Sequence, residues 1–321
     1  MNKKVITFMV ACLMLFSIIS AGDFVFADRE QQNDYLSSPL SLSEDNDFEG
    51  LNERNYDKPE LKLKNEQIQK DKLKKCEKEL LKIKNSRSGN TELKNAALVS
   101  TTYSVNLPVI KQILGFNCGA ATALQTIDSI KNYDNNTKTV PASTKSYWWL
   151  KSCCLDGNLS NIATSNWKHP SGSTTHTKCY KSYTDRQITM INKCGTTYEG
   201  STSVGVASGI NTYLPSSYYS AIRIAGTTAG KEFLRAYSIY DLKYKYALTY
   251  KVKLKYLSHY GSDHTGVHFV SGYSYIDNGG FETDKIGIAD CNYSSKGGKY
   301  TENFLYIYKG LYNTLNENMT W

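Results

Sequence analysis

The chain changes its hydrophobic period part-way along, and this limits what it can fold into. From residue 118 to 131 the apolar positions recur at helical spacing: Ala121, Leu124 and Ile127 share one face, with Thr122, Gln125 and Asp128 on the other. In the C-terminal third the period becomes two. Leu248-Thr-Tyr-Lys-Val-Lys-Leu-Lys-Tyr alternates apolar and polar residues as a half-buried strand does. Gly266-Val-His-Phe-Val-Ser-Gly-Tyr, Lys285-Ile-Gly-Ile-Ala-Asp and Asn303-Phe-Leu-Tyr-Ile-Tyr read as further strands, punctuated by Gly279-Gly280 and Gly297-Gly298. A second helical segment carries Trp148 and Trp149 ahead of Cys153. Residues 154–200, rich in Ser, Thr, Gly and Asn, read as loop with short helices. Helices first and sheet later specify an α+β fold.

Residues 1–27 stand apart from that domain. Asn2-Lys3-Lys4 precedes an almost wholly apolar run from Val5 to Ala21, and Val25-Phe26-Ala27 puts small residues where a signal peptidase reads. This is the pattern of a secretory signal peptide. A retained membrane anchor is the alternative reading of the same run. No later segment is apolar enough to span a membrane. Residues 28–98 divide into an acid-rich polar stretch to residue 60, which reads as a linker, and a lysine-rich helix over 65–86. On that helix Leu73, Cys76, Leu80 and Ile83 form one apolar stripe, Lys and Glu fill the rest, and Ser86 to Asn90 end it. The segment reads either as a pro-segment docked on the enzyme or as a flexible stalk. Residues 99–321 form the main domain.

Export implies an oxidising environment. Of eight cysteines, Cys12 lies in the signal, leaving seven, an odd number that points to one free thiol. If Cys118 is that thiol, Cys76, Cys153, Cys154, Cys179, Cys194 and Cys291 are left to pair. A bridge from Cys153 or Cys154 to Cys179 or Cys194 is the expected staple. Zinc held by His169, His176 and these cysteines is the alternative, against which the spacing lacks a Cys-x-x-Cys pair. The formal charge of +8 is concentrated in 99–321, which suits a polyanionic neighbour such as a wall or anionic surface, or solubility alone; nucleic acid is not the expected partner of an exported chain.

Cys118 carries the chemistry. A Gly-Phe-Asn turn leads into it and the helix follows at once, with Asn117 as the expected N-cap. Unpaired N–H groups at a helix start favour negative charge, and the thiolate is the reactive form of cysteine. Gln112, one short loop upstream, carries an amide that can donate to a developing oxyanion. Side chains on a strand alternate between faces, so His268 shares a face with Val270, and Asp290 shares one with Ile286 and Ile288. If the two strands are antiparallel neighbours, His268 and Asp290 meet, and the carboxylate holds the imidazole. Asp263 is the alternative carboxylate. His264, four residues before His268, reads as a rim residue; the competing metal-pair reading needs a helix that this stretch does not form.

These residues resemble a papain-like cysteine peptidase of the bacteriocin-processing, double-glycine type, family thirty-nine, and in particular its free-standing secreted members. Gln112 and Cys118 match the oxyanion glutamine and the nucleophile, His268 in His-Phe-Val-Ser-Gly-Tyr the general base, and Asp290 in Ile-Gly-Ile-Ala-Asp the third member. Gly195-Thr-Thr-Tyr-Glu-Gly-Ser-Thr and Ile210-Asn-Thr-Tyr-Leu also match a stretch of those members, and the likeness covers about residues 103–310. Two departures stand out. Ala120 replaces the usual proline after Cys-Gly, and Cys291 replaces the proline after the aspartate. The resemblance implies a papain-like fold, with a helical N-terminal half carrying Cys118 and an antiparallel sheet carrying His268 and Asp290. It implies hydrolysis of a peptide or protein substrate, cell-wall peptide included, without cofactor or metal, outside the cell. A cell-wall amidase or endopeptidase is one alternative, with no repeated wall-binding module in its support. An inert papain-fold binding module, using some of the 25 tyrosines for recognition, is the other.

Overall fold

The computed structural model describes residues 59–88, 100–148, 180–197 and 199–321. The signal segment, the acid-rich linker, Trp149, Cys153, Cys154, Cys179, His169 and His176 lie outside the described residues, as do the side chains of Leu80 and Ile83.

The fold is α+β. Helix α1 (Pro59–Ser88) is followed by strand β1 (Thr101–Ser104), helix α2 (Cys118–Lys131) and a two-stranded ribbon, β2 (Ser143–Trp148) with β3 (Tyr180–Asp185). Helices α3 (Arg186–Lys193) and α4 (Ser203–Asn211), strand β4 (Ala221–Ile222) and helix α5 (Thr228–Lys243) lead into the sheet strands β5 (Leu248–Lys253), β6 (Val267–Asp277), β7 (Lys285–Asp290) and β8 (Gly298–Asn303). Helix α6 (Phe304–Tyr312) and strand β9 (Met319–Thr320) complete it. The sheet is antiparallel, in the order β4-β9-β5-β6-β7-β8, with β1 continuing along the edge of β6 that β5 leaves open. Among the described residues no helix is long and apolar enough to cross a membrane.

The sheet is covered on both faces. Phe269 packs with α2, α3 and α4, while Val270, Ile286 and Ile288 pack with α5 and α6. A register shift between Gly272 and Ser274 reverses the alternation, so Tyr275 returns to the side of Val270. Double coverage corrects the half-buried reading of 248–256. Thr249 and Lys251 are as buried as Tyr250, Lys251 Nζ donates to Leu315 O (2.8 Å), and the strand gives way to a 3-10 turn at Leu254–Tyr256.

Helix α2 starts and ends where the periodicity places it, but both of its faces are buried. Thr122 donates to Phe269 O (3.2 Å), and Gln125 accepts from Ser271 Oγ (2.7 Å). Asp128 pairs with Arg186 through two hydrogen bonds. Two further assignments change. Trp148 ends strand β2 rather than lying in a helix. Residues 304–312 form helix α6, capped by Asn303, whose side chain accepts from Leu305 N (2.8 Å). An apolar run of that length satisfies either period, and the asparagine cap and the contact of α6 with β5 decide for helix.

Helix α1 is longer than the apolar stripe predicts and docks on α4, α5 and β4. Its buried face includes two polar residues that the stripe left outside. Asn65 pairs with the backbone of Ala221 in both directions (2.9 and 2.6 Å). Lys72 is 3 % exposed, bonds Asp241 at 3.0 Å, and lies over the rings of Tyr218 (3.7 Å) and Trp321 (4.4 Å). Burial pushes Lys72 down to about 8 against the pull of Asp241, and pushes Asp241 up against the pull of Lys72. Burial thus outweighs the attraction at both ends of the pair, which makes breaking it costlier than removing it. Lys72→Met is expected to cost about 3–5 kcal/mol in urea unfolding, and Lys72→Met with Asp241→Asn less. A double variant as unstable as the single one would contradict this balance.

Candidate active site

The register of β6 and β7 builds the site. Val270 stands opposite Asp290, so His268, two residues earlier on the same face, is the diagonal neighbour of Asp290. His268 Nε2 lies 2.9 Å from Asp290 Oδ1, and both residues are fully buried. Asp290 Oδ1 also accepts from Asn292 N (2.7 Å); Oδ2 accepts from Tyr260 OH (3.0 Å) and from His259 Nε2 (2.9 Å). Burial alone would raise the Asp290 carboxyl, but the His268 charge and the hydrogen bonds from His259, His268 and Asn292 hold it well below the usual carboxylate range. Burial alone would lower His268; Asp290 chiefly, with Cys291 and Tyr260, holds it well above the ordinary imidazole value. Both shifts favour the ionised form of the pair, an imidazolium against a carboxylate. Asp263 is exposed, so of the two carboxylates weighed for His268 it is Asp290 that meets the ring.

Cys118 is the first residue of α2. Asn117 precedes it but does not cap the helix with its side chain. Asn117 Oδ1 turns back to accept from Leu114 N (2.9 Å), and Nδ2 donates to Gln187 Oε1 (2.8 Å). The asparagine therefore shapes the loop before the helix rather than covering the helix N–H groups. Gly119 is required by contact: a Cβ there would come within 2.6 Å of Ser201 Cβ. Gln112 is buried, and its Nε2 donates to Leu114 O (3.1 Å), which uses one of its two N–H groups. Its backbone N donates to Cys291 O (2.7 Å), stitching the loop that carries Gln112 to the end of β7.

The thiol in contact with His268 is Cys291. Its Sγ lies 3.9 Å from His268 Nε2, 3.7 Å from Gln112 Oε1, 3.5 Å from Cys118 O and 3.6 Å from Thr122 Oγ1. Cys291 thus links the strand that carries Asp290 to the start of α2. Burial raises its thiol above the ordinary value, against the attraction of His268. A neutral, fully buried thiol is a weak nucleophile. From the sequence, Cys291 is one of the cysteines left to pair and the residue after Asp290 where the peptidases it resembles carry proline; nothing there marks it as a neighbour of His268. His259, Tyr260, Asn292 and Glu302 carry no sequence signal, because the segment between β5 and β6 brings His259 and Tyr260 to Asp290 through tertiary packing.

His264 is buried, not a rim residue, and its Nε2 lies 3.1 Å from Lys296 Nζ. Cys76, Cys118, Cys194 and Cys291 are free, buried thiols, so neither Cys76, Cys194 nor Cys291 is in a disulfide. The cysteines left to bridge lie outside the described residues. Burial pushes the Cys194 thiol up to about 12, which makes it inert. His268, Asp290 and Cys291 place one donor atom each within 4.8 Å, but each Asp290 oxygen already accepts two hydrogen bonds and all three residues are buried; the cluster is a hydrogen-bonded group. No protein-family model matches the chain, and no curated protein matches it.

The ion pair dictates a pH window for stability. His268, raised above 6.5, contributes fully below that value, and its contribution is lost as pH rises through the folded pKa. Asp290, depressed below 3.8, contributes above that value, and its contribution is lost as pH falls through the folded pKa. Both are present between those two reference values. Denaturant unfolding across pH is expected to show Asp290→Asn losing stability most within this window, with the difference narrowing on either side. A penalty independent of pH would mean that the pair is not ionised.

Proposed function

We infer that this chain is an exported cysteine peptidase of papain-like fold that hydrolyses a peptide bond through Cys118, His268, Asp290 and Gln112. The observation that carries the reading is the buried His268–Asp290 pair at 2.9 Å, joined through the Gln112 N–Cys291 O bond to the loop that delivers Cys118 at a helix start. Nε2 of His268 is committed to Asp290, so Nδ1 is the nitrogen that exchanges protons with the reacting groups.

In this scheme Cys118 Sγ attacks the scissile carbonyl carbon as the thiolate. The oxyanion is met by the Cys118 N–H and by the Gln112 N–H group that Leu114 does not occupy. The His268 imidazolium gives its proton to the departing amine. Water then attacks the thioester, with His268 taking the water proton, and the acid leaves with Cys118 restored. Asp290 keeps the imidazole oriented and its charge compensated throughout.

A second reading is an inert binding module on the same fold. Burial favours it: Cys118 and Gln112 are each 2 % exposed and His268 is fully buried. Cleavage of a fluorogenic peptide library by the full chain separates the two. The peptidase reading expects turnover that Cys118→Ala abolishes without changing the unfolding midpoint, and that Gln112→Ala lowers by about 10²–10³ in kcat. Full turnover in Cys118→Ala, or peptide binding without cleavage by the unaltered chain, would reject it.

A further inference from the structure

Asp290 serves two imidazoles, one on each oxygen. Opposite its bond to His268, Oδ2 meets His259 Nε2 at 2.9 Å, and the other nitrogen of His259, Nδ1, lies 3.3 Å from Glu302 Oε1. A neutral imidazole has one N–H and one lone pair, so it satisfies only one of these carboxylates. The imidazolium donates to both. Glu302 is fixed in its own right: it is buried on β8, and Oε1 accepts from Ser258 N (3.0 Å) and Ser258 Oγ (2.9 Å). Tyr300, also on β8, lies flat against His259 with ring centroids 3.6 Å apart and planes 4° from parallel, which fixes the ring plane and favours its positive charge. Tyr260 OH, besides donating to Asp290 Oδ2, accepts from Asn292 Nδ2 (2.8 Å).

We propose that His259 is a positioning residue which, held as an imidazolium between Glu302 and Asp290, shares the Asp290 charge and so sets how firmly His268 holds its proton. The proposal rests on the reading of His268 as the proton-transfer group. With His259 charged, Asp290 divides its attraction between two cations. His268 is then less firmly protonated than it would be with the carboxylate to itself, and releases its proton more readily to a leaving amine. The burial of His259 opposes its charge, but the bonds to Asp290 and Glu302 prevail and raise it above the ordinary imidazole value.

The surroundings of both rings support this division. His268 faces Asp290, Cys291 and Tyr260, with Cys118 of α2 beyond Cys291. His259 faces Asp290, Glu302, Tyr300 and Tyr260. The nearby cation, Lys296, is paired with His264 and sits 5.0 Å from the Tyr260 ring rather than on Asp290. Among the described residues, His259 is therefore the group besides His268 that sets a positive charge directly on this carboxylate.

The test is a histidine NMR titration of the full chain, which needs no substrate. In the unaltered protein near neutral pH, both His259 nitrogens are expected to carry protons. In His259→Gln the His268 pKa is expected to rise by about one unit, the effect of removing a unit charge at this range. Glu302→Gln is expected to move it the same way, because His259 then loses the second carboxylate that keeps it charged. The alkaline limb of kcat/KM follows the same shift. A neutral single tautomer at His259 in the unaltered protein would overturn the proposal without any variant. So would a His268 pKa that stays put or falls in folded His259→Gln. If the NMR shift appears but no peptide is cleaved, the charge-sharing stands and the peptidase reading falls.

Discussion

Strands β6 and β7 pair so that Val270 faces Asp290, and most of what is distinctive in the structure follows from that register. A slip of one residue would send His268 and Asp290 to opposite faces of the sheet. The register is held from both sides. Val270, Ile286 and Ile288 bury one face against α5 and α6, while Phe269 buries the other against α2. The same packing that drives folding therefore buries an ionisable pair, and burial makes the pairing obligatory. Asp290 answers with four hydrogen bonds, which is full use of its lone pairs.

That economy of buried charge recurs away from the site. Lys72 on α1 has Asp241 and a set of aromatic rings around it, on the side of the sheet far from β7 and β8. Helix α1 therefore contributes a buried cation to the domain and packs against the β4 end of the sheet, not the end that carries Asp290.

What the sequence made legible was whatever depends on local period and on a single pairing. The limits of α2 follow from the helical period, the strands around His268 and Asp290 from alternation, and the meeting of those two residues from alternation once the strands pair antiparallel. The burial of Lys72 and Asn65 is not legible in the sequence, because polar side chains on a helix read as solvent-facing until a partner such as Asp241 or the Ala221 backbone is known. Residues 303–308 read as a strand because a short apolar run satisfies both periods, whereas Phe304–Tyr312 is helix. Asn117 sits at the N-cap position, but its side chain serves the loop. Cys291 and His259 were missed for a different reason: their roles come from tertiary approach, Cys291 to the start of α2 and His259 across to Glu302, and no spacing along the chain encodes either. The papain-like architecture within this α+β fold, and the activity, remain the proposal made above.

The central claim is that Cys118, and not the thiol touching His268, is the nucleophile and that His268 activates it. Iodoacetamide labelling in mildly acidic solution, mapped by peptide mass spectrometry, addresses this directly, because an ordinary thiol reacts slowly where thiolate is scarce. The account predicts rapid labelling confined to Cys118 and a large loss of that rate in His268→Ala. Labelling that falls first on Cys291, or that reaches Cys118 no faster than a free cysteine and regardless of His268, would contradict it.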